Sequence, residues 1–214
     1  MGYQVILDII GSAITGGLLL LTLLDFNAHN MENKQLYRDE IIAQKNLVQV
    51  VNVMEEDFRR IGYCSVRQNM SVPVVTMAAA ESLRFKTDLP DMAHSSLEGD
   101  GIVDYVTYAF GPPVATSANP HVRMLYRREN MGDYGGSNMG VTVFDLQYLN
   151  YRGDTLARPV ASDKLKEIIA VQVTLRVENV NPYTSTAGPD SLATLLVNWK
   201  QLRFTIRNFG KGAI

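Results

Sequence analysis

Glu98, Asp100 and Asp104 cluster three carboxylates around Gly99 and Gly101, the kind of acidic, glycine-turned segment that gathers calcium through oxygen ligands. The segment departs from the full twelve-residue ligand pattern, so a solvated turn into the next strand is preferred, with calcium as the alternative. The glycine-rich run Gly132–Gly140 lacks the Gly-Lys-Ser/Thr that completes a phosphate-binding loop and is followed by a strand pattern, so a hairpin loop explains it better. His29, His94 and His121 are scattered, without a second histidine or a carboxylate at metal-ligand spacing, and suggest neither a zinc site nor a Ser-His-Asp arrangement. Glu55, Glu56 and Asp57 occupy successive positions of a helical pattern, which turns them to different faces. They make no acid/base dyad and read as a charged surface that pairs with Arg59 and Arg60. The lone Cys64 excludes an intramolecular disulfide framework or a thiolate cluster and reads as a buried thiol. Asn69-Met70-Ser71 fits a glycosylation sequon, which has meaning only in a eukaryotic secretory context. No enzymatic constellation and no cofactor site emerge, and catalysis is not expected.

One further acid stands apart. Asp8 is the single charge in the twenty residues from Val5 to Leu24, a run whose helical length of about 30 Å matches bilayer hydrocarbon. A carboxylate inside such a span costs on the order of 3 kcal/mol and is usually kept for a partner or a function. The span holds no Lys or Arg, so a cation must come from another chain or from the chain's own α-amino group, unless Asp8 lies at headgroup depth and is simply hydrated. Gly11, Gly16 and Gly17, with Ser12 and Ala13, give the helix small side chains that would admit other membrane helices closely, although lipid-facing packing is an equal alternative. Met1–Gln4 has no Lys or Arg and Asp25-Phe26-Asn27 follows the apolar run, unlike a cleavable secretory signal, so the helix is expected to stay attached.

The elements that carry these residues follow from periodicity. From Asn27 to Ile61 there is no Gly or Pro, and Leu36, Ile41, Leu47, Val48, Val51, Met54, Phe58 and Ile61 recur mostly at spacings of three and four. This predicts an amphipathic helix that continues the anchor, a rod of about 85 Å over residues 4–61, stopped by Gly62 after Arg59 and Arg60. Beyond Tyr63 the period falls to two. Strands are expected at Val72–Met77, Ser82–Lys86, Ile102–Phe110, Val122–Arg128, Val141–Leu149, Ile168–Val177 and Trp199–Asn208, with loops at 111–120, 129–140 and 178–191. In the sixth run Ile169, Val171, Val173, Leu175 and Val177 share one face, which should cover the helix. The fold class is therefore α+β, a long N-terminal helix packed on a mainly antiparallel sheet. Its expected segments are an apolar helix at 1–26, its amphipathic continuation at 27–62 and a β-rich domain at 63–214. A net charge of −2 supplies no global basic field, so nucleic acid is not expected as a partner.

This layout resembles the type IV pilin-like proteins, in particular minor pilins of the PilW kind and J-type minor pseudopilins of type II secretion. The likeness extends over the whole chain, and four segments carry it: Val53-Met54-Glu55-Glu56-Asp57-Phe58-Arg59-Arg60-Ile61-Gly62-Tyr63, Gly99–Tyr108, Leu125-Tyr126-Arg127-Arg128 and Phe204-Thr205-Ile206-Arg207-Asn208. The resemblance implies a structural or assembly subunit of a pilus-like or type II secretion filament, built through its N-terminal helix. Its partners would be other pilin-like subunits, the inner-membrane assembly machinery and, before assembly, the lipid bilayer. It also implies a bacterial inner-membrane, single-pass protein whose C-terminal domain is periplasmic or extracellular. By the family's logic Gly2-Tyr3 would be the processing junction, and the α-amino group of Tyr3 would meet Asp8 of a neighbour. Asp8 sits one position later than the family's glutamate. Local charge points the other way on orientation, since Lys34 and Arg38 follow the span. The alternative function is a single-pass anchored β domain of the cell envelope that binds a ligand through loops 111–120 and 178–191.

Overall fold

The computed structural model describes residues 2–90, 99–180 and 197–207. Two compact units divide the chain, 1–41 and 42–214. Helix α1 runs from Gly2 to Arg59, 58 residues with no proline, so its hydrogen-bond ladder meets no missing donor. The first unit is helix throughout its described residues. The second holds the rest of α1 and eight strands.

The end of α1 is built as the sequence suggests, one turn tighter. Arg60 and Ile61 donate their amides to the Asp57 and Phe58 carbonyls, i to i+3 bonds of a closing turn, so regular helix stops two residues before Ile61. Gly62 then takes φ +75° and gives its amide to the Lys86 carbonyl at 2.8 Å, tying the helix end to the sheet. A side chain there would be forced into the left-handed region, which glycine enters freely.

All seven expected strands form, with some ends shifted. Strands β1 (Val75–Ala78), β2 (Ser82–Thr87), β3 (Asp104–Pro113), β4 (Arg123–Glu129) and β5 (Gly135–Ser137) make one antiparallel sheet in chain order. Strands β6 (Val141–Leu149), β7 (Ala170–Glu178) and β8 (Val197–Thr205) make a second. The loop expected over 129–140 is corrected by β5, a short strand that pairs with β4 through Tyr126 and Gly136. Gly-Gly-Ser has no β-propensity to announce itself, and only the neighbouring β4 edge makes pairing favourable. Asn208, His94 and most of loop 178–191 lie outside the described residues.

One core joins α1 to both sheets. Val50, Val51, Met54 and Phe58 are buried on the helix, as are Leu83, Phe85, Val106 and Tyr108 of the first sheet, and Phe144, Leu146, Val171, Val173, Leu175 and Val177 of the second. The alternation expected of β7 is therefore real, with Gln172, Thr174 and Arg176 on the wetter face. Phe58 is the common contact. Its ring meets Phe85, Tyr108 and Phe204 edge-on at centroid distances of 5.7, 5.4 and 5.1 Å, spanning both sheets. Tyr148, buried on β6, donates its hydroxyl to the Ala79 carbonyl at 2.8 Å and stitches the two sheets at the β1–β2 turn.

Candidate functional site

The most unusual surface of the molecule belongs to the first unit. Gly2–His29 are all exposed, among them Tyr3, Val5, Ile9, Leu20, Leu21 and Phe26, although an 18-residue window of this helix has a mean hydropathy of 2.0 and is 0% buried. Water is a poor solvent for so much contiguous apolar surface, and a patch of this kind marks contact with lipid or with other chains. The polar side chains within the run hide their own hydrogen-bonding needs. The hydroxyls of Ser12 and Thr22 donate to the carbonyls of Ile9 and Leu19 at 2.9 Å, and Thr15 donates to Gly11.

Asp8 has no such recourse. It is exposed and makes no hydrogen bond or ion pair with any described residue. Around Gly11, Gly16 and Gly17 a methyl group would meet nothing within 4 Å, so the small-residue positions are open on the isolated chain. On helical geometry Asp8 and Gly11 lie on neighbouring faces, whereas Gly17 falls about half a turn round from Asp8, so the four positions do not form one stripe. Gly2 and Tyr3 are helical and exposed, with Tyr3 at 79%.

In the second unit the acidic segment is organised around Asp88, which no sequence pattern singled out. Its carboxylate is fully buried and accepts the Ser65 amide at 2.9 Å, the Ser65 hydroxyl at 2.8 Å, the Asp100 amide at 3.0 Å and the Gly101 amide at 3.1 Å. Burial pushes this carboxyl up, but the Ser65 and Gly101 donors outweigh it and hold it below the ordinary aspartate value. Gly99, at φ +93°, leaves room for it, since a Cβ there would stand 2.2 Å from Asp88 Oδ1. Asp100 accepts the Ile102 amide at 2.8 Å, while Asp104 accepts the Leu89 amide at 2.9 Å and the Asn130 side chain at 2.7 Å. These carboxylates serve backbone amides and an amide side chain. No group of three His, Cys, Asp or Glu among the described residues could hold a metal ion, and Glu98 lies outside them. Cys64 is buried beside this loop and unpaired in any disulfide, and burial pushes its thiol up.

The reading of Glu55, Glu56 and Asp57 as one charged surface needs a correction. Glu55 and Glu56 do pair with Arg59 and Arg60, at 3.4 and 3.8 Å. Asp57 instead turns inward. It is 6% exposed, accepts Arg127 through Nε at 2.6 Å and Nη2 at 3.0 Å, and accepts the Tyr108 hydroxyl at 2.5 Å. Burial, together with the Asp57 charge, pushes the Tyr108 phenol far up, so it stays a donor. The signal was present in the spacing, because position 57 lies on the same stripe as Val50, Met54, Phe58 and Ile61. A third buried acid, Glu178, accepts Asn119 at 3.0 Å and Thr142 at 3.1 Å and pairs with Arg176 at 3.0 Å. Beside the first network an open cleft of about 730 Å³ runs between the helix residues Val50, Val53 and Met54 and the strand residues Leu125, Gly135 and Gly136.

No family model matches the sequence, and no curated protein matches it. Among solved structures the chain is similar to a type IV-like pilin from Thermus thermophilus, with 11% identity and a TM-score of 0.45 over 78% of this chain and 98% of that one.

Proposed function

We propose that this chain is a pilin-like structural subunit, held in a bilayer by its N-terminal helix and then packed through that helix into a pilus or type II secretion filament. The single observation behind the reading is the bare apolar helix: Gly2–His29 are exposed, and none of the described residues buries the span. Such a surface is stable in lipid or against like helices, and the two environments are interchangeable because both are apolar. Asp8 is then the group that distinguishes them. In lipid it lies near the helix end, within reach of water. In a helix bundle it gains from a cation on a neighbouring subunit, for which the α-amino group of a Tyr3 exposed by cleavage after Gly2 is the proposed source. The subunit works by packing rather than by catalysis, with its β domain facing the periplasm or the exterior.

Isolation of surface filaments from cells that carry the chain with its native envelope machinery tests this. The chain is expected in the filament fraction, and Asp8→Ala is expected to stay in the membrane with its β domain folded. Absence of the native chain from every filament, together with normal filaments in cells lacking it, would sink the reading. A second reading, an anchored binding module, draws on the cleft beside Met54 and Leu125, a concave and largely apolar space of ligand-binding size.

A further inference from the structure

We propose that the outer face of the five-stranded sheet carries a binding site for a phosphate-type oxyanion, built from Arg84, Thr107 and Arg128. Register places the three in one row. Arg84 on β2 stands opposite Thr107 on β3, and Thr107 stands opposite Arg128 on β4. Their sequence neighbours Leu83, Phe85, Val106 and Tyr108 point into the core, so this row faces away from it. Two cations thus flank one hydroxyl at a spacing of about 5 Å per strand.

The polar atoms of this row are unspent. Thr107 is 3% exposed, yet its hydroxyl has no hydrogen-bond partner among the described residues, and the Nε atoms of Arg84 and Arg128 are likewise buried and unpartnered. Native proteins leave few such atoms, and each calls for a reason. The other two arginines of this sheet show the contrast: Arg123 pairs with Glu81 at 2.9 Å and Arg127 with Asp57. Lys86, on the same sheet, is engaged by the carbonyl and hydroxyl of Ser71. Among the described residues the side chains of Arg84 and Arg128 rest on tyrosine rings alone, 4.5 Å from the Tyr105 centroid and 4.3 Å from that of Tyr134. The rings hold the guanidinium groups flat and charged without using their N–H donors. No carboxylate stands in the row to neutralise them.

Both arginines are partly exposed and Thr107 lies between them at 3% exposure, so an anion that draws the guanidinium groups off their tyrosine rings would bring them over the Thr107 hydroxyl. Donors then converge from two sides and from below. A tetrahedral oxyanion accepts from all three directions at once, while a planar carboxylate is matched by a single guanidinium fork. Ligand entry would also satisfy the three orphaned atoms, which gives the site a reason to close.

Titration calorimetry of the full chain in nonionic detergent, with sodium phosphate against sodium chloride at equal ionic strength, tests the site. Saturable binding of one phosphate is expected, weakened roughly tenfold or more in Arg84→Gln and in Arg128→Gln. Thr107→Val should weaken it severalfold while leaving thermal unfolding unchanged or improved, because the hydroxyl it removes is unpaired. Phosphate should raise the melting temperature of the native chain, a readout that holds if an arginine variant fails to fold. Heats no larger than those of chloride, or binding undiminished in all three variants, would overturn the proposal. Equal affinity for acetate would overturn the tetrahedral assignment. Binding of a thymidine oligonucleotide without binding of free phosphate would replace a single-group site by a track for an extended polyanion.

Discussion

Asp57 shows how much one carboxylate does once it is buried. Its two oxygens take both prongs of Arg127 and the Tyr108 hydroxyl, joining α1 to β3 and β4. Removing one partner of such a network leaves the others desolvated and unpaired, which costs more than the bond itself gains. Asp57→Asn should therefore lower the unfolding free energy by about 2–4 kcal/mol, slightly below the range for a fully buried pair because Arg127 is partly exposed. Glu56→Gln, one residue away on the exposed pair with Arg60, should cost at most about 0.5 kcal/mol. Chemical denaturation of both variants checks the contrast. Residue type alone made these three acids look alike. Their difference was legible only in phase, because position 57 falls on the apolar stripe of the helix and its neighbours do not.

At the scale of elements, periodicity carried the helix and seven strands, and it failed where pairing is imposed by a neighbour. β5 is three residues of Gly-Gly-Ser held to β4, and nothing in their chemistry asks for a strand. The junction around Asp88 was hidden for a related reason, since three of its four donors are backbone amides, from Ser65, Asp100 and Gly101, which have no sequence signature. The acidic loop drew notice through Glu98, Asp100 and Asp104, whereas the acid that shapes it lies on the preceding strand's end. This junction also sets a pH dependence. The Asp88 carboxyl titrates below its ordinary value in the fold, so its contribution is complete above the unfolded value of about 3.9 and is lost as pH falls through the lower, folded value. Asp88→Asn should flatten that part of the acid-unfolding curve and should lower stability near neutrality by about 2–3 kcal/mol. Thermal melts of both forms between pH 2 and about 7 measure it.

For the whole molecule, the apolar helix and the core are separate assets. The first buried residue along α1 is Ala43, well after the exposed run Gly2–His29 ends. A chain lacking residues 1–26 should thus move from the membrane pellet to the soluble fraction and keep a cooperative thermal transition. Loss of the transition on truncation would mean that the anchor also supports the fold. In the sequence the same helix passes from continuous apolarity to a three-four spacing near Asn27, whereas the two compact units divide at 41/42. What would surround Asp8 and the small residues in the proposed assembly was not legible, because partners outside the chain would decide it.

The reach of Asp57 also bears on the order in which the chain is made. Its partners Tyr108 and Arg127 stand 51 and 70 residues later, and the Tyr148 hydroxyl reaches back 69 residues to Ala79. A ribosome delivers the helix first, at about 5–20 residues per second, so Asp57 and Phe58 wait several seconds for the strands that cover them. During that interval the apolar stripe that ends in Asp57 and Phe58 is presented uncovered, behind the exposed apolar run Gly2–His29. Until β3 and β4 are made, Asp57 lacks both Tyr108 and Arg127, so this part of the core closes only after both strands have left the ribosome.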